Sequence, residues 1–74
     1  MHRKAVESVL LRRPFQPFRM VLTNGEHFDV LHPDLVIVGH RFIAVGSPRG
    51  QSLSDDEMLV YWIDLIHIIY IRRL

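Results

Sequence analysis

Apolar residues along this chain follow two different periods, and the change between them falls at a pair of prolines. Between residues 2 and 12, Ala5, Val6, Val9 and Leu10 share one helical face, while Arg3, Lys4, Glu7 and Ser8 occupy much of the other side. This spacing predicts an amphipathic helix of about three turns over residues 2–13. Arg12 and Arg13 would fall in its last turn, where cations suit the negative end of the helix dipole. Pro14 cannot continue a helix, and Pro17 repeats the signal.

From Phe18 the period becomes two. Phe18, Met20 and Leu22 alternate with Arg19, Val21 and Thr23; beyond Asn24-Gly25, Phe28 and Val30 alternate with His27, Asp29 and Leu31. Asn-Gly between two alternating runs predicts a hairpin, because that dipeptide tolerates positive φ in a tight turn. His32-Pro33-Asp34 interrupts the alternation, since Pro33 has no N–H to give a ladder. Leu35 to Val38 and Phe42 to Val45 are rich in β-branched residues, with Gly39-His40 between them as either a tight turn or a bulge in one long bent strand. Gly46 to Glu57 is polar and Gly/Pro/Ser-rich, and reads as a long loop. Met58 to Ile71 returns to β-prone sequence, with Asp64-Leu65 placed to mark a bend between two strands. The acidic run Asp55-Asp56-Glu57 would also suit a helix start, but Val60 to Ile63 and Ile66 to Ile71 are too β-branched and aromatic for a helix to be preferred. Strands are therefore expected over about 18–71. A mainly β domain with one N-terminal helix, its five short strands closing into an SH3-like or OB-like barrel, accounts for this pattern better than a sandwich.

Seventy-four residues make one domain, 1–74. A chain of this size buries only about 60% of its unfolded surface, and small domains usually add disulfides, a metal or self-association. Cysteine is absent, which removes disulfides and thiol chemistry. Hydrophobic residues make up 49% of the chain, so some apolar surface is expected at a subunit interface. The run Ile68-Ile69-Tyr70-Ile71 argues the same way: a strand apolar on both faces is usually covered on both, and at a sheet edge it would pair with another subunit. Nine Lys/Arg against eight Asp/Glu leave a net charge of +1, which neither demands nor excludes a polyanion. No apolar run approaches the roughly 18 residues that span a bilayer. The basic start, Met1-His2-Arg3-Lys4, is not followed by a signal-peptide core, and a cytoplasmic protein with no membrane role is the expectation.

The order of features resembles the Sm-like fold. That family has an N-terminal helix and a first hairpin of the kind seen here from Met20 to Phe28. A long bent second strand follows with an Asp near its end, then a third strand, a variable loop, and a last pair joined by a very short turn. Asp34 stands where that Asp is expected, and Met58–Asp64 and Ile66–Ile71 would be the last pair. The resemblance implies a ring-forming protein that binds single-stranded RNA. The family's RNA pocket uses an Asp-x-hydrophobic-Asn run and an Arg-Gly or Lys-His element. Here the first is Asp34-Leu35-Val36-Ile37, without the Asn, and of the second only His67 is present. The segment Arg13-Pro14-Phe15-Gln16-Pro17-Phe18-Arg19, with Gly25, Phe28 and His32-Pro33 downstream, is also similar to short bacterial proteins of unknown function, and transfers no activity.

Candidate chemistry is sparse. Five histidines invite a metal, but none has a recognised ligand spacing, and no metal site or cofactor is assigned. Asp64 with His67 has the residue types of an acid–base pair, yet Ser47, Ser52 and Ser54 stand in no nucleophile motif; Asp64 capping a turn and His67 bonding a neighbouring backbone is the plainer account. No catalytic residue is named and no enzyme activity is expected. Tyr61 and Trp62 would point to opposite faces of a strand, one into the core and one toward an interface or a stacked base. The basic residues carry the functional expectation. Arg3, Lys4, Arg12 and Arg13 lie on or beside the helix, Arg72 and Arg73 end the last strand, and Arg41 and Arg49 stand apart. Repeated around a ring, they would make a phosphate-binding face. The candidate nucleic-acid-binding residues are Arg3, Lys4, Arg12, Arg13, Arg41 and His67. The competing expectation is an SH3-like interaction module or homodimer without a nucleic-acid role.

Overall fold

The computed structural model describes residues 1–48 and 58–74. Helix α1 spans Arg3–Leu10 and begins at His2, whose Nδ1 accepts the Lys4 N–H at 3.1 Å. Val6 is fully buried, and Val9 and Leu10 pack half-buried against the core. The helix is shorter than its periodicity predicts. Pro14 disfavours helical geometry at the residue before it, so the chain leaves the helix at Leu11, and Arg12 and Arg13 lie beyond it. The Arg13 guanidinium turns back onto the carbonyls of Leu10 (3.4 Å) and Arg12 (3.1 Å), supplying a donor that the helix end lacks.

Strands β1 (Phe18–Leu22) and β2 (His27–Val30) form the expected hairpin, with Met20 opposite Phe28. Among the described residues only Gly25 takes a positive φ, +88°. The Gly25 N–H donates to the Leu22 carbonyl, the Leu22 N–H to the Glu26 carbonyl, and the Glu26 N–H to Asn24 Oδ1. This is a three-residue loop with glycine in the left-handed position rather than a two-residue turn. Strands β3 (Val36–Val38) and β4 (Phe42–Pro48) are joined by a turn in which the Gly39 N–H donates to the Phe42 carbonyl at 2.7 Å, so Gly39-His40 is a turn and not a bulge. Strand β5 (Met58–Asp64) pairs with β4 along its whole length, and β6 (Ile68–Arg73) returns along β1. The expected loop from Gly46 is thus partly strand, since Gly46 to Pro48 belong to β4. Residues 49–57, with Arg49 and the acidic run, lie outside the described residues.

Among the described residues all pairings are antiparallel, in two three-stranded sheets ordered β2-β1-β6 and β3-β4-β5. The expected mainly β architecture with one N-terminal helix forms, but with six strands instead of five, and the described residues make no closed barrel. The reason lies at Pro33. It opens a one-turn 3-10 helix, Pro33–Leu35, that divides the long second strand into β2 and β3. A second 3-10 turn, Leu65–His67, carries the chain from β5 back to β6. Asp64 caps it, Oδ1 accepting the Ile66 N–H at 3.1 Å. Both crossings between the sheets are therefore single 3-10 turns, each started by a residue suited to starting one.

Between the sheets lies one core of Val6, Phe18, Met20, Leu22, Val30, Val36, Ile43, Val45, Ile63, Leu65 and Ile68. Met20, Ile43, Val30 and Val45 are essentially sealed, each stabilising the fold by about 1.5–3 kcal/mol relative to exposure. Tyr61 packs against Phe28, ring centroids 4.9 Å apart, while Trp62 remains 75% exposed on the outer face of β3-β4-β5 beside Ile37 and Phe42. Strand β6 is a sheet edge, and Ile69 and Tyr70 are half exposed there. No helix among the described residues is long and apolar enough to cross a membrane.

Candidate nucleic-acid interface

Register decides which basic residues meet. Strand β6 runs antiparallel to β1 with Arg73 opposite Phe18 and Arg72 opposite Arg19, so the end of β6 lies beside the segment that follows α1. There Arg12, Arg72, Arg73 and Gln16 rim a concavity of about 170 Å³ floored by Val9, Phe18 and Ile71. Arg12 Nη1 reaches Gln16 Oε1 at 3.5 Å, and the Leu74 N–H donates to the Pro17 carbonyl at 3.3 Å, holding the two segments together.

Among the described residues no carboxylate lines this concavity. The nearest acid on the adjoining sheet face, Asp29, is already engaged: Arg19 meets it with two bonds, Nε to Oδ1 at 2.7 Å and Nη2 to Oδ2 at 3.1 Å. That bidentate hydrogen bond holds the Asp29 carboxyl below the usual carboxylate range, with the charges of Arg19, His27 and Arg72 acting the same way and partial burial opposing. The same bond raises the Arg19 guanidinium further above its ordinary value. Arg12, Arg72 and Arg73 are exposed and border one hollow, Arg72 from the strand row it shares with Arg19, and guanidinium forks match phosphate oxygens well.

The other candidates do not join this cluster. Arg13 follows Arg12 but spends its guanidinium on backbone carbonyls. Arg3 lies at the opposite end of α1, 3.9 Å from Glu7, and shares a second concavity of about 240 Å³ with His2, His40, Arg41 and Asp64. Lys4 is exposed on the helix and lines neither concavity. His67 stands in a third cleft among Glu26, Asp64 and aromatic rings, with Nδ1 3.4 Å from Thr23 Oγ1 and its carbonyl accepting the Thr23 N–H. Asp64 and His67 are thus occupied as a turn cap and a hairpin anchor. Of the six candidates, Arg12, the pair Arg3 and Arg41, and His67 fall in three separate places, and Lys4 and Arg13 line none of them. Gln16 carried no signal in the sequence. Arg72 and Arg73 were visible as a basic pair, but their meeting with Arg12 depends on the β1–β6 register.

Among the described residues, no three His, Asp or Glu side chains gather into a group that could hold a metal ion. Compared with known protein families, curated proteins and solved structures, the chain matches none.

Proposed function

We propose that this protein is a small self-associating Sm-like domain that binds single-stranded nucleic acid weakly, through phosphates seated on the Arg12–Arg72–Arg73 concavity. The observation that carries this reading is that Arg12, Gln16, Arg72 and Arg73 border one hollow, with no carboxylate among the described residues that line it. Phosphate contacts supply most non-specific affinity for nucleic acid, and they need exposed, unneutralised cations. The fold is compatible with the resemblance if β2 and β3 are the halves of the long second strand, with Asp34 at the break and β5 and β6 as the last pair joined by a short turn. Free strand edges at β5 and β6 favour self-association, which would repeat the concavity around an assembly. Repetition matters because a monomer of net charge +1 offers little field of its own.

Titration of a labelled oligouridine at several salt concentrations tests this. Arg12→Ala should weaken binding and lower the salt slope by about 0.7, the share of one phosphate contact on a single strand. Unchanged affinity and slope would overturn the assignment.

One observation favours a second reading, a protein-interaction module without a nucleic-acid role. The outer face of β3-β4-β5 shows Ile37 at 72%, Phe42 at 49% and Trp62 at 75% exposure, an apolar surface of the kind that partner chains cover.

A further inference from the structure

The end of the β2-β1-β6 sheet away from Arg73 has the opposite character. A cleft of about 380 Å³ opens there between the β1–β2 turn and the end of β5. Phe28 and Tyr61, packed at 4.9 Å with rings inclined by 55°, belong to its wall, and Trp62 stands at its rim. Glu26 and Asp64 are its two acidic residues, and among the described residues no Lys or Arg lines it. Among the described residues neither acid has a cationic partner within 4.0 Å. Asp64 Oδ1 accepts the Ile66 N–H, and the residue borders both this cleft and the His2–Arg3 concavity.

This lining selects by charge and shape. An anion would meet two carboxylates. A purely apolar ligand would strip water from both without replacing it. A flat organic cation satisfies both parts of the wall, because a guanidinium stacks on an aromatic face while its N–H groups bond carboxylate oxygens. We propose that this cleft binds a guanidinium group, the side-chain chemistry of arginine. The site is distinct from the Arg12 concavity and does not depend on the nucleic-acid reading.

The single tryptophan, Trp62, lies across β5 from Tyr61 on the outer face, so binding is read by isothermal titration calorimetry rather than by fluorescence. The protein would be titrated with N-acetyl-arginine amide, with its uncharged citrulline analogue, and with a short peptide carrying one arginine. The arginine probes should give a saturable change, with citrulline roughly tenfold weaker or more. Glu26→Gln, an exposed position, should weaken the arginine probe by roughly threefold, in the range of an exposed charge pair, whereas Arg12→Ala should leave it unchanged. Equal response to both arginine probes would mean that the side chain alone is recognised; a clear preference for the peptide would identify a polypeptide as the source. Response to citrulline matching that to arginine, no saturable change with either arginine probe, or full affinity in a folded Glu26→Gln variant would overturn the proposal.

Discussion

Single residues in this molecule act mainly by spending or withholding charge. Arg19 and Asp29 face each other across β1 and β2 and neutralise one another, which leaves Arg72, on the next strand, without an acid of its own on that row. The pair has a consequence for stability. The folded carboxyl of Asp29 titrates below its ordinary value of 3.8, so its contribution is fully present above that pH and is lost as pH falls through the lower, folded value. Urea midpoints measured from pH 5 down to the acid limb should therefore fall more steeply for the native chain than for Asp29→Asn. Parallel curves would show that the pair contributes nothing to acid stability. Arg19 is charged throughout any accessible range and adds no pH dependence of its own.

At the scale of elements, the turns decide the topology. Gly39 is fixed by close approach: a Cβ there would lie 2.9 Å from the Phe42 carbonyl oxygen, a backbone atom that cannot swing aside. Gly39→Ala should cost about 1–3 kcal/mol in urea unfolding, as overpacking against fixed backbone does. A variant as stable as the native chain would mean that the β3–β4 turn relaxes easily. The β1–β2 hairpin was readable because alternation, Asn24 and Gly25 all agree locally. The end of α1 was misplaced because Arg12 and Arg13 are good helix formers, and only Pro14 argues against them. The division of the long second strand was half legible: Pro33 announced an interruption, but not that it would start a 3-10 turn and send the chain to a second sheet. The concavity was least legible of all. Arg12 and Arg72–Arg73 stand near opposite ends of the chain, and their meeting follows from pairing register, which depends on long-range packing rather than on local pattern.

The whole molecule has two chemically opposed ends along the β2-β1-β6 sheet. Arginines collect where β6 finishes beside Phe18, while carboxylates and rings collect where β6 begins beside Leu22. Apolar side chains stay exposed along the edge strand β6 and on the outer face of β3-β4-β5, and a small core like this one gains from covering them. The nucleic-acid reading rests on that covering, because one concavity on a nearly neutral chain is a weak site, whereas the same concavity repeated in an assembly becomes a basic surface. Light scattering on a sizing column is the most direct test. A mass of several times 8.7 kDa is predicted, with five to seven copies as expected of a ring. A mass of 8.7 kDa across the concentration range would contradict self-association, and with it the repeated basic surface on which nucleic-acid binding depends.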